Sequence, residues 1–145
     1  MYINRTLCDP EMDRIDHALG RPLDPTQETD RNGFLTSYEG PEAEELRRSP
    51  YWTDGRRWLG DSEAFHVTDC GRAALAAYLE KIGDPHRKFV VTFDGHASDV
   101  IATGRSQARY RHFQEVSDAI PISFRDFCQR SSVRVADVRE GLRDR

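Results

Sequence analysis

A mixed α+β fold is what the sequence predicts, on three observations. Apolar side chains recur at helical spacing between recognisable start and stop residues; two pairs of β-rich runs flank short turn-forming segments; and the polar break Gly83-Asp84-Pro85-His86-Arg87 separates residues 1–83 from residues 84–145. A chain of 145 residues fits one ordinary domain or two small units of about 70 residues sharing a core.

Met12, Ile15 and Leu19 lie at i, i+3 and i+7, one face of a short helix over 11–19 that Gly20 and Arg21-Pro22 end. Residues 21–40 are rich in Pro, Asp, Thr and Gly, with turns marked by Pro22, Pro25 and Asn32-Gly33. They read as a loop docked through Phe34 and Leu35, the most flexible segment of the chain. A second helix runs from Pro41 to Arg48, because proline suits a first helical position and acids then bases match the helix dipole. Arg57-Trp58-Leu59 and Ala64-Phe65-His66-Val67 read as strands around a loop at Gly60-Asp61-Ser62-Glu63. The clearest helix is 69–82, where Leu75, Tyr78, Leu79 and Ile82 repeat at helical spacing between Thr68 and Gly83.

In the second half, Phe89–Phe93 and Val100–Thr103 predict a hairpin with a loop at 94–99. Ser106 is the expected cap of a helix carrying Phe113, Val116 and Ile120 on one face, which Pro121 ends. Ser123 caps a shorter helix with Phe124, Phe127 and Cys128 together, and Val133-Arg134-Val135 is a candidate last strand beside the hairpin. The tail from Arg139 is charged and reads as frayed.

Composition narrows the function classes. With 37% hydrophobic and 32% charged residues, the chain has a heavily charged surface without the signature of disorder. The first 30 residues hold no signal-like apolar run, and nothing approaches the roughly 18 apolar residues of a membrane span, so neither export nor membrane insertion is expected. Cys8, Cys70 and Cys128 form no CxxC pair, and their odd number argues against a disulfide framework and for a reducing cytoplasm. The net charge of −4 divides unevenly: residues 1–83 carry 10 basic and 16 acidic side chains, net −6, and residues 84–145 carry 11 and 9, net +2. Neither half reaches the basic balance usual for nucleic-acid binding.

No catalytic constellation assembles from sequence. His66 and Cys70 are four apart, yet a structural zinc takes four ligands and no second pair exists; Cys70 reads as a small core residue or a partly buried thiol. His96 between Asp94 and Asp99 has no paired nucleophile, and there is no Gly-rich phosphate loop, HExxH or GxSxG. No enzyme activity, metal or cofactor is therefore expected. Contact residues are more visible. Trp52 and Trp58, with Tyr51 and flanked by Arg56 and Arg57, have the composition of an interface anchor. Arg105, Arg109 and Arg111, with His112, cluster at the start of the first helix after the second hairpin, a basic surface for nucleic acid or an acidic protein. Glu42, Glu44 and Glu45, with Glu39, Asp61 and Glu63, form an acidic set able to mimic a phosphate backbone.

The block Phe65-His66-Val67-Thr68-Asp69-Cys70-Gly71-Arg72-Ala73-Ala74-Leu75 resembles the strand-to-helix passage after the wing of winged-helix proteins. The local logic is that Thr68 caps the helix, Gly71 permits close approach of the preceding backbone and Leu75 begins the core stripe. His17-Ala18-Leu19-Gly20-Arg21-Pro22 and Arg31-Asn32-Gly33-Phe34-Leu35-Thr36 resemble segments of small phage and prophage accessory proteins. The resemblance covers roughly residues 12–80 and implies a winged-helix-like first half, with a ββαα(β) second half packed on it. By analogy with anti-CRISPR proteins it implies non-enzymatic inhibition of a host defence complex, a protein or ribonucleoprotein in the cytoplasm of a bacterial host. A homodimer is a common form of such inhibitors. A DNA-binding regulator is the alternative, against which stands the acidic helix in the recognition region, since carboxylates repel phosphates.

Overall fold

The computed structural model describes residues 3–136; the tail from Arg139 lies outside the described residues. The chain divides between Asp84 and Pro85 into two units. Both units combine helices with an antiparallel sheet, and the fold class is α+β.

In the first unit, α1 (Pro10–Ala18) opens where the Asp9 carboxylate accepts the Met12 N–H at 3.0 Å, with Pro10 at a position where a missing N–H has no helical role. It buries Met12, Ile15 and Ala18. A strand, β1 (Phe34–Ser37), then lies inside the segment that reads as a loop, and α2 (Pro41–Arg48) buries Ala43 and Leu46. The hairpin strands are β2 (Arg56–Arg57) and β3 (Ser62–Phe65), turning through Gly60 at φ +67°. Both are displaced towards the N-terminus from the expected runs, because β3 is also the centre of the sheet: β1 pairs with it from Phe34↔Phe65 to Ser37↔Ser62, and the order is β1-β3-β2. Helix α3 (Asp69–Ile82) has the expected ends, with the Thr68 hydroxyl accepting the Gly71 N–H at 3.1 Å and Gly83 left-handed at φ +67°. Ile15, Leu46, Trp52, Phe65 and Leu75 are central to its core.

Residues 21–33 are not the loose segment expected. The Arg72 guanidinium, on α3, donates to the carbonyls of Pro25 and Gln27 at 3.1 and 2.8 Å and to the Thr29 hydroxyl at 3.1 Å. Asn32 clasps Val67 by its side chain, its amide donating to the Val67 carbonyl at 3.0 Å and its oxygen accepting the Val67 N–H at 2.7 Å. Side chains here supply the partners that a strand ladder would otherwise give.

A buried ion network, unforeseen from the sequence, holds the start of the chain. Asp16, fully buried on α1, accepts from Arg5 Nε at 2.9 Å, from Arg5 Nη2 at 2.6 Å and from Arg21 Nη1 at 2.9 Å. Arg5 also donates to Asp84 at 3.0 Å and to the Pro22 carbonyl at 2.8 Å, and Arg21 to Asp13 at 2.7 Å. The hydrogen bond from Arg21, aided by the Leu7 N–H and opposed by burial, holds the Asp13 carboxyl below the ordinary aspartate value. A carboxyl depressed on folding stabilises the fold above its unfolded-state value, about pH 4, and that contribution is lost as pH falls through the lower folded-state value. Asp13→Asn is therefore expected to lower the urea midpoint at neutral pH and to converge on the unsubstituted protein in acid. A gap that stays constant into acid contradicts this assignment.

In the second unit, β4 (Arg87–Phe93) and β5 (His96–Ala102) are joined by Asp94-Gly95 alone, at φ +49° and +82°, the two-residue turn with both φ positive that matches strand twist. The expected six-residue loop is thus mostly strand. Helix α4 (Arg105–Ala119) starts after Gly104, with Ser106 inside it and not at the cap; Gln107 Oε1 accepts from the Thr103 N–H and hydroxyl at 2.8 and 3.0 Å. Phe113 and Val116 pack on the core, whereas Ile120, beyond the helix end, is exposed. Ser123 caps α5 (Phe124–Gln129), accepting the Asp126 N–H at 3.1 Å, and β6 (Ser131–Val135) pairs antiparallel with β4, giving the order β5-β4-β6. Phe89, Val91, Phe93 and Phe127 fill its core.

Candidate partner-binding site

Strand alternation sorts the first unit's sheet into two faces. Phe65 and Glu63 of β3 are buried, while Ser62 and Ala64 turn outward. Register sets Leu35 and Arg56 on either side of Ala64, so Leu35, Ala64 and Arg56 form one row across the outer face, with His66 next on the same side of the chain. Trp58 follows β2. Leu35, Trp58, Ala64 and His66 line a concave cavity of about 490 Å³ whose other walls are Phe34, Phe65, Gly33, His17 and Arg31. The exposed apolar side chains around it are large: Trp58 is 59% exposed, Leu35 57% and the neighbouring Leu59 82%.

The two tryptophans, six positions apart in the chain, differ in burial. Trp52 is 5% exposed and sits in the core at 5.8 Å from the Phe34 ring, so its expected contact role is corrected to a packing role. The turn at Ser49–Tyr51 carries it inward, where it bridges to Val67, while Trp58 faces solvent at the mouth of the hairpin. Arg57 lies over the Tyr38 ring at 4.1 Å, and Arg47 lies 5.0 Å from the same ring.

The acidic set is largely neutralised. Glu42 accepts from Arg14 at 3.2 Å and from Thr36 at 2.8 Å, Glu44 pairs with Arg48 at 2.7 Å, and Glu45 lies 3.6 Å from Arg14. Glu63 is buried and held by Arg47, and Asp61 stands 3.8 Å from Arg57. A bare carboxylate row does not form. Of the second unit's arginines, Arg111 donates to the Ile101 carbonyl at 2.6 Å, Arg109 Nε is enclosed without a hydrogen-bond partner, and Arg105, one helical turn before Arg109, is exposed at the helix start.

His66 and Cys70 are both exposed, Cys70 at the outer side of the α3 start and not in a core, and no group of three metal-ligating side chains occurs among the described residues. His96 stands opposite Phe93 as the first residue of β5. His112 is buried with Nδ1 3.5 Å from Glu115 in a pocket shared with Phe93 and His96, but no hydroxyl or thiol lines that pocket. Arg31, His17 and Leu35 are not singled out as contact residues by the sequence; the pairing of β1 with β3 sets Leu35 beside Ala64, and the Gly33 N–H, donating to the Ala18 carbonyl at 3.2 Å, ties the segment after Arg31 to the end of α1 beside His17. No helix among the described residues is long and apolar enough to cross a membrane. Comparison of the chain with protein-family models, with curated proteins and with solved structures finds no match.

Proposed function

We propose that the protein is a non-catalytic binding module that docks a partner protein on the outer face of its β1-β3-β2 sheet. The observation that carries this reading is the exposure of Trp58 and Leu35 at one cavity, with exposed Leu59 next to Trp58 in the chain, in a unit that buries Trp52, Phe65 and Leu75. An exposed tryptophan beside arginine is the composition of an interface anchor, and contiguous apolar exposure marks interaction surfaces. The resemblance of residues 12–80 to phage accessory proteins selects a host defence complex as the partner to test, inhibited by non-covalent occupancy. Phosphate mimicry through Glu42, Glu44 and Glu45 draws no support from side chains already paired with arginine. The regulator reading has less behind it: on α2, Arg47 is held by buried Glu63 and exposed Arg48 faces Glu44, so carboxylates stand beside both of that helix's cations.

Trp58→Ser tests the reading. The tagged protein is expected to retain a stoichiometric protein complex from a nuclease-treated lysate of a bacterium carrying defence systems. The variant should bind that complex more weakly by at least about 2 kcal/mol, roughly 30-fold. Its folding stability should change by no more than about 0.5 kcal/mol, as for other surface substitutions. Equal retention by the variant, or recovery of nucleic acid alone, discards the reading.

A further inference from the structure

We propose that the Trp58 cavity receives an apolar side chain from an acidic segment of the partner, so that the recognised chemistry is a carboxylate-flanked hydrophobic peptide. This rests on the docking face proposed above and adds the class of segment that fills it. Charge is the first argument. Residues 1–83 carry a net −6, yet none of the nine residues lining the cavity is a carboxylate, and Arg31, His17 and His66 are among them.

The distribution of arginines is sharper. In the first unit Arg5, Arg14, Arg21, Arg47, Arg48 and Arg57 each face a carboxylate within 4.0 Å, and Arg72 is engaged by loop oxygens. Arg31 and Arg56 are the two arginines of that unit without such a partner among the described residues. Both are at this site, Arg31 in the cavity wall and Arg56 across β3 from Leu35, beside Ala64. A guanidinium left unpaired in an acidic unit has N–H donors ready for an incoming carboxylate, which can accept from it bidentately.

The apolar wall supplies the second half of the recognition. Exposed Leu35 and Trp58, with half-buried Phe34 and Ala64, border about 490 Å³, within the size range of pockets that receive a compact apolar group. Nucleic acid fits less well: two free guanidiniums neutralise few phosphates, and the unit's net negative charge opposes a polyanion beyond that local contact. A short acidic peptide carries its carboxylates only locally and brings an aliphatic or aromatic anchor, which matches Leu35 and Trp58.

The test titrates the ¹⁵N-labelled full chain with the blocked peptide acetyl-Glu-Glu-Phe-Glu-Leu-Glu-amide, with its all-Gln and all-Lys counterparts, and with a single-stranded oligothymidylate. The Glu peptide is expected to shift amides within 31–36 and 56–66 and to bind at least tenfold more tightly than the Gln peptide. In the Arg31→Glu/Arg56→Glu double variant, whose amide spectrum reports retention of the fold, preference should pass to the Lys peptide. If the Gln or Lys peptide binds the unsubstituted protein at these amides as tightly as the Glu peptide, the acidic class is overturned while the docking face stands. If the oligothymidylate shifts them at lower concentration, or if the Glu peptide leaves them unmoved at millimolar concentration, the inference is overturned, and capture by Trp58 decides separately whether the face binds protein.

Discussion

Asp16→Asn is expected to destabilise the first unit by about 3–5 kcal/mol, the range for removing one partner of a buried ion pair. Asparagine matches the shape of Asp16 but removes the charge that receives three guanidinium hydrogen bonds. Arg5, itself buried, would keep Asp84, the Pro22 carbonyl and one neutral amide oxygen, and would meet an amide N–H where the second carboxylate oxygen stood. Domains are stable by only about 5–15 kcal/mol, so the variant should lie close to unfolding. Tryptophan fluorescence in urea isolates the effect, because Trp52 and Trp58 both belong to the first unit. A loss under about 1 kcal/mol, the worth of an exposed pair, would show that water or Asp84 compensates for the missing charge.

Gly71→Ala should also destabilise that unit, by a net 1–2 kcal/mol or so, although alanine is the better helix former by about 1 kcal/mol. A β-carbon at Gly71 would stand 2.6 Å from the Tyr51 carbonyl oxygen and 2.7 Å from Val67 Cγ1. The carbonyl is backbone and accepts the Thr68 N–H at 2.9 Å, so it has little freedom to retreat. The same unfolding measurement decides the sign: a rise in the urea midpoint would mean that the packing yields and helix propensity wins.

These two sites differ in how readable they are. Gly71 and its cap were legible because helix ends are written locally: Thr68, Gly71 and Gly83 lie within one stretch, and each acts through its own backbone neighbourhood. The Asp94-Gly95 turn was visible as a turn signal, although the strands extend further into it than side-chain type suggests. β1 was missed because four residues, Phe34 to Ser37, sit after a Pro- and Asp-rich run and gain strand character only by pairing with β3, far along the chain. The Arg5–Asp16–Arg21 network was missed for the same reason, since scattered charges in a sequence do not announce which of them will be buried. At the proposed docking face, sequence named Trp58 and Arg56 but grouped them with Trp52, which the turn before it takes inward. It also read as a bare acidic surface residues that the fold hands to Arg14, Arg47 and Arg48.

The Arg5–Asp84 pair joins a side chain near the beginning of the first unit to the residue at its end, and that sets a timetable for synthesis. At roughly 5–20 residues per second, about 4–16 s separate the making of Arg5 from the making of Asp84. β1 likewise waits for β3. The β4-β5 hairpin, closed by two residues, needs no distant partner and can form in about 1–10 μs once its strands exist. The half of the chain made first is thus finished only when its last carboxylate arrives. The apolar residues made early, among them Ile15, Leu46 and Phe65, lack part of their packing until Leu75 and Leu79 of α3 have been made, and need shielding for that time.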